Sequence, residues 1–303
     1  MTQRTLACRC LILLLSSLPA LGCATATPPP PWIVATELVQ LTTTDGVRLA
    51  GAVWRPAGPP GGSPAVLLVH GYGGNFYAGW PGLARALAAW GHLTMALNMR
   101  DHDLTPQTSL FEDNRTDIEA GVDFLMRAGA PSVVLIGHSM GTNRVLYYQA
   151  ETQDPRVHAV LLMAGPGNLL EWNIRLFGRE RALAVLAEAQ RWVQEGRGQE
   201  LMLVDLGPLG KTLYSAAHVV SLRGPETRSD PFQNIARIRP PILILHGTAD
   251  RLADPAVAWR LKDAAVASSN AQLHLIPDLG HDLPGSPEAI LPILRPWVEG
   301  SPR

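Results

Sequence analysis

A short apolar run, Val133-Val134-Leu135-Ile136, ends in Gly137-His138-Ser139-Met140-Gly141 and passes directly into a helical pattern. No other feature constrains the fold as much, because it demands a strand, a sharp turn and a helix packed in immediate succession. The run is short, β-branched and closed by glycine, which predicts a buried strand. From Thr142 onward, Val145, Leu146 and Tyr148 mix with polar Asn143, Arg144 and Gln149 as in a helix. Ser139 falls at the apex between the two. Side chains in place of Gly137 and Gly141 are predicted to collide where strand and helix pass. A G-x-S-x-G turn of this kind holds a serine in strained backbone with its hydroxyl above the sheet edge. On the pentapeptide alone, a small residue in a tight turn is the competing reading.

The surrounding pattern is regular. Glu37 to Thr42 and Val47 to Trp54 read as strands joined by the Asp45-Gly46 hairpin signal. Strands at Ala65 to Val69, Leu93 to Asn98, Val133 onward, Val157 to Met163, Ile242 to His246 and Gln272 to Ile276 then alternate with helical stretches such as Trp80 to Trp90 and Asp113 to Arg127. Alternation of this kind predicts an α/β fold, a mostly parallel doubly wound sheet with helices on both faces, entered through an antiparallel hairpin. The interval from Gly165 to Pro240 interrupts it. Arg179 to Glu195 is strongly helical, and short helical or irregular pieces are expected at Leu201, Leu209 to Leu213 and Ala216 to Leu222. This segment, about 166–235, is expected to lie over the carboxyl edge of the sheet as a lid. Its Leu169, Leu170, Trp172, Leu176 and Phe177 either line an acyl pocket or pack the lid onto the body.

Acyl transfer by serine needs a base, an acid that orients the base, and N–H donors for the oxyanion. Candidates for each follow a predicted strand. His281, after the last strand in LIPDLGHDLP, is the candidate base. Asp250 and Asp254 in ILILHGTADRLADP are candidate acids, and Asp250 stands closer to the strand end. Read singly, His281 is a loop residue capping backbone groups and Asp250 an Asx-turn residue. Their order, Ser then Asp then His, favours catalysis. Met140 at the start of the elbow helix and Tyr72 in VHGYGGN, with Gly73 in reserve, are the expected oxyanion donors through their backbone N–H groups.

Four spaced motifs, His70-Gly71-Tyr72-Gly73-Gly74, Gly137-His138-Ser139-Met140-Gly141, His246-Gly247-Thr248-Ala249-Asp250 and Gly280-His281, carry a resemblance to α/β-hydrolase fold serine hydrolases over nearly all of residues 37–298. The resemblance implies an esterase, lipase, thioesterase or proline-type peptidase that uses Ser139, Asp250 and His281 with no metal or organic cofactor. It departs from one subgroup. Many monoacylglycerol-lipase-like members carry R-G-H-G after the fourth strand, where this chain has Arg100-Asp101-His102-Asp103. That acidic cluster suggests a metal, but three consecutive residues seldom converge on one ion, and local salt bridges through Arg100 or Arg115 are expected instead. Carboxylic-ester hydrolysis is the leading expectation. An aminopeptidase would need acids for a substrate amine, supplied by Glu171, Glu180 or Asp205. A surface-tethered binding protein on the same scaffold is the remaining alternative.

Arg4 and Arg9 precede an apolar run, Leu11 to Leu21, that is too short to span a bilayer and reads as a cleaved signal peptide over residues 1–22. Leu21-Gly22-Cys23 resembles a bacterial lipobox, which implies lipid attachment at Cys23 and an exported, membrane-anchored protein. Ala20 and Pro19 depart from the usual lipobox. Ala24 to Pro31 contains four prolines and has too little apolar content to pack, as in an extended spacer to a domain spanning 36–300. Of the three cysteines, Cys8 and Cys10 lie inside the signal peptide and Cys23 directly follows it, so neither disulfides nor cysteine metal sites are expected in the rest of the chain. A formal net charge of −1 offers nucleic acid nothing, and the expected partners are a small ester or acyl substrate and, through the anchor, a membrane.

Overall fold

The antiparallel entry is formed by β1 (Ala35–Thr42) and β2 (Arg48–Arg55), paired from Ala35↔Arg55 to Thr42↔Arg48. Gly46 in the connecting turn has φ +84°, a conformation glycine adopts without steric cost. Strands and helices then alternate through β3 (Ala65–Val69), α1 (Trp80–Ala89), β4 (Thr94–Leu97), α2 (Asn114–Arg127), β5 (Val133–His138), α3 (Met140–Thr152) and β6 (Val157–Met163). An insertion follows, comprising α4 (Leu169–Phe177), α5 (Arg179–Gln194), β7 (Leu201–Asp205), β8 (Lys211–Ser215), α6 (Ala216–Arg223) and α7 (Pro231–Ile235). The main pattern resumes with β9 (Ile242–Gly247), α8 (Ala256–Ala264), β10 (Ala271–Ile276) and α9 (Pro287–Gly300). This computed structural model describes residues 35–57, 62–104 and 106–300. The expected signal peptide, Cys23 and the proline spacer lie outside the described residues.

The main sheet runs β1-β2-β4-β3-β5-β6-β9-β10, with β2 antiparallel to both neighbours and the other pairs parallel. Its central strands are covered on both faces, as the near-continuous apolar runs require. In β3, Leu67 and Val69 enter one core with Ile118 of α2, Val145 of α3 and Leu261 of α8. Val66 and Leu68 enter the opposite core with Leu83 of α1 and Leu294 of α9.

One local expectation needs correction. The stretch around Leu201 and Leu209 to Leu213, expected to be helical or irregular, is largely an antiparallel hairpin, with β7 paired to β8 from Leu201↔Ser215 to Asp205↔Lys211. Met202 and Val204 point inward while Leu201 and Leu203 are exposed. Because the outward positions are leucines, the strand's two-residue period does not appear as alternating polarity. The polar residues of α3 do not mark a solvent face. Asn143, Arg144 and Gln149 are all buried, because α3 is enclosed by the sheet, α2 and α7.

Candidate active site

Ser139 joins β5 to α3 at φ +54° and ψ −128°, backbone that an L residue holds only when its surroundings impose it. Those surroundings are two close approaches. A Cβ on Gly137 would stand 2.4 Å from the Gly141 carbonyl oxygen, and one on Gly141 only 2.2 Å from the Val69 carbonyl oxygen. The expected crowding is present, and for Gly141 the obstacle is the end of β3. A Cβ on Gly71 would lie 2.6 Å from the Ser139 Cβ, so the loop after β3 passes directly over the serine.

His281 follows β10 and Asp250 follows β9, both at the carboxyl edge of the sheet. The imidazole Nδ1 donates to Asp250 Oδ2 at 2.8 Å. The other carboxylate oxygen accepts the N–H groups of Leu252 at 2.8 Å and Ala253 at 2.9 Å. His246 Nε2 lies 3.2 Å from Asp250 Oδ2. Burial works against ionisation of Asp250, but the bonds from His246, His281 and the Ala253 N–H outweigh it and hold the carboxyl well below its ordinary range. Asp254 is not part of this arrangement. It lies half-exposed, 3.9 Å from Arg175.

Ser139 and His281 line one cavity of about 310 Å³ with His70, Gly71, Tyr72 and His138. Trp80, Trp172, Leu209 and Leu252 add its apolar surface. Met140 opens α3, so its N–H belongs to the helical turn that lacks intrahelical acceptors. Of the apolar insertion residues named from sequence, Trp172 lines the cavity. Leu169 packs around Met140 and Phe111, while Leu170 and Phe177 pack within the insertion.

The family profile for alpha/beta hydrolases matches residues 66–293. The chain belongs to the alpha/beta hydrolase family. It is 29% identical over 280 residues to a monoacylglycerol lipase of Mycolicibacterium smegmatis, covering 84% of this chain and 93% of that protein. It is 27% identical over 289 residues to a non-heme chloroperoxidase of Streptomyces lividans, covering 86% and 99% respectively. Among solved structures, an esterase from Pyrococcus furiosus superposes with a TM-score of 0.59 at 17% identity, covering 88% of this chain and 89% of that one. Est1E from Butyrivibrio proteoclasticus with ferulic acid bound gives a TM-score of 0.67 at 17% identity, covering 87% and 99%. At these identities the two structures share the alpha/beta hydrolase fold with this chain.

Several residues around the cavity of this alpha/beta hydrolase escape sequence reasoning. His138 Nε2 donates to the His281 carbonyl at 2.8 Å, tying the histidine loop to the serine turn. Burial first, then the neighbouring His281, pushes the His138 imidazole down to about 4, so it holds this bond as a neutral ring. Trp172 Nε1 and Arg175 Nη1 donate to the Leu252 carbonyl at 2.8 and 2.9 Å, so α4 grips the loop that carries Asp250. Nothing local in the sequence marks these long-range partners. The acids of the Arg100-Asp101-His102-Asp103 segment also resolve differently from expectation. Arg100 bonds Asp45 and Asp117, whereas buried Asp101 takes both its bonds from Arg144 of α3, at 2.6 and 2.8 Å. Asp103 is held by Asn75 and His102. The acids considered for an amine-binding role lie elsewhere: Glu171 pairs with Arg260 and Asp205 with Arg181, while Glu180 is exposed on α5.

Proposed function

We propose that this protein is a serine hydrolase that cleaves carboxylic esters through an acyl-enzyme intermediate. The observation that carries the reading is one cavity lined by both strained Ser139 and His281, whose Nδ1 is bonded to ionised Asp250. In the first step His281 Nε2 takes the Ser139 Oγ proton as Oγ bonds to the ester carbonyl carbon. The carbonyl oxygen becomes an oxyanion, and the N–H groups of Tyr72 and Met140 receive its charge. Collapse breaks the bond to the alcohol oxygen, which leaves with the proton from His281. Water then repeats the sequence on the acyl-serine, releasing the acid and restoring Ser139. Asp250 holds the tautomer that leaves Nε2 free and balances the imidazolium in each transition state.

The apolar wall of Trp80, Trp172, Leu209 and Leu252 suits uncharged acyl or alcohol groups, with the insertion acting as a lid. An amine-binding aminopeptidase would have to rely on Asp282, the carboxylate among the lining residues. Hydrolysis of nitrophenyl esters, acyl thioesters and aminoacyl nitroanilides, measured beside Ser139→Ala, separates the ester, thioester and peptidase readings. Esters turned over fastest, and lost on substitution, are the expected result. Turnover that survives Ser139→Ala rejects the serine mechanism.

The same proposal places the enzyme outside the cytoplasm. Residues 1–22 serve as its signal peptide, Cys23 as its lipid attachment site and the following prolines as a tether.

A further inference from the structure

The loop after β3 is clasped at several points by the segment after β4. Met99 N–H donates to His70 Nε2 at 3.0 Å, so the His70 proton resides on Nδ1. That proton is donated to the Gly71 carbonyl at 2.7 Å. Burial, and then the Arg144 charge, pushes the imidazole down to about 3, in keeping with a permanently neutral ring. Asp103 N–H donates to the Gly74 carbonyl at 2.9 Å, and Asn75 Nδ2 donates to Asp103 Oδ1 at 2.7 Å.

Arg144 completes this clasp from beneath. Its side chain is fully buried in α3, one helical turn beyond Ser139. Nη2 donates to both Asp101 oxygens at 2.6 and 2.8 Å, while Nη1 donates to the His70 carbonyl at 2.9 Å. The carbonyls on either side of the Gly71 nitrogen and Cα are thereby fixed, His70 by Arg144 and Gly71 by the His70 ring. No peptide bond among the described residues is cis, so the Tyr72 N–H points opposite to the Gly71 carbonyl, away from the ring that holds it. The Gly71 Cα is the atom from which a Cβ would strike Ser139.

We propose that Arg144 and Asp101 are positioning residues for the oxyanion site: as a buried pair they anchor the His70 carbonyl and so aim the Gly71–Tyr72 peptide at the reacting carbonyl. The inference rests on the serine-hydrolase reading and deepens it. An isolated arginine would be too costly to bury, and Asp101 makes its presence beneath the loop possible. The guanidinium fork suits the task because it grips a carboxylate and a backbone carbonyl at once, which an ammonium cannot do in the same geometry.

The test uses two variants of the full chain assayed on a nitrophenyl ester. Asp101→Leu combined with Arg144→Met removes both charges together, which avoids stranding either one in the interior. Expected is a folded protein whose kcat falls about 100-fold while KM changes by less than about threefold. Inhibition by an aryl trifluoromethyl ketone, whose serine adduct carries an oxyanion, weakens in parallel. Arg144→Lys keeps the charge beside Asp101 and covers the case in which the double variant does not fold. Its kcat is expected to fall about 10-fold, again with little change in KM. Either variant, folded and with wild-type kcat and ketone affinity, overturns the inference. Ser139→Ala run alongside separates the two readings: full turnover there rejects the serine mechanism, whereas an inactive Ser139→Ala beside an unimpaired Arg144→Lys rejects the positioning role alone.

Discussion

His281 and Asp250 are joined by an Nδ1–Oδ2 hydrogen bond of 2.8 Å, although 31 positions separate them in the chain. The bond orients the imidazole, and the carboxylate is itself fixed by the backbone N–H groups of Leu252 and Ala253. Asp254 contacts Arg175 instead. Asp250→Asn is therefore expected to lower kcat by about 10⁴-fold, because an amide favours the wrong imidazole tautomer. Asp254→Asn is expected to stay within about threefold of wild type, as a half-exposed partner of one arginine. Steady-state kinetics of both variants on one ester decides the matter, and the reverse ranking would transfer the role to Asp254.

Ser139→Ala is expected to lower kcat at least about 10³-fold without loss of fold. The turn is imposed by the packing of Gly71, Gly137 and Gly141, and needs no serine hydroxyl to form. Circular dichroism and urea unfolding should match wild type while ester turnover disappears. A variant that loses activity only by unfolding would leave the chemical role unsupported.

Gly141→Ala tests the strand–helix approach. The added carbon would sit 2.2 Å from the Val69 carbonyl oxygen at the end of β3 and 2.8 Å from that of His70 at the start of the loop beside the site, both backbone atoms. A loss of about 3 kcal/mol in urea unfolding is expected, at the upper end of overpacking effects. An unchanged unfolding midpoint would be incompatible with this geometry.

Stability should fall in mild acid. Burial pushes His70 down to about 3 and His218 down to about 4. In the unfolded chain both groups bind protons near pH 6.5. Between that pH and the folded values, the unfolded state therefore holds more protons, so stability rises with pH there and is lost as pH falls. Each group contributes a slope of about 1.4 kcal/mol per pH unit within its window. His218 Nδ1 donates to the Ser109 carbonyl at 2.7 Å, a bond that an asparagine amide reproduces. Urea unfolding at pH 7 and pH 5 should show a smaller difference in His218→Asn than in wild type, and equal differences would count against a neutral buried His218.

Full-length protein expressed in a Gram-negative host should partition with membranes and enter the detergent phase, and Cys23→Ser should abolish both behaviours. Each acyl chain on Cys23 would contribute about 0.8 kcal/mol per buried methylene. A soluble periplasmic enzyme with an unmodified N-terminus would point instead to ordinary signal cleavage and leave the catalytic proposal intact.

The sequence made legible the alternation of the main strands with α1, α2 and α3, the turn at Ser139 and the crowding at Gly137 and Gly141. These follow from periodicity and from residues whose steric demands act over a few neighbours. It also ranked Asp250 above Asp254, because distance from a strand end is readable along the chain. The β7–β8 hairpin was not legible, since Leu201 and Leu203 on its outer face hide the alternation. Nor was the interior of α3, where Arg144 reads as a polar residue on a helix and is in fact wholly buried. That depends on the folded arrangement, because a charge can be buried only where a distant partner meets it. Asp101 does so here, bringing the acid after β4 against the helix after Ser139 and beneath the backbone of His70.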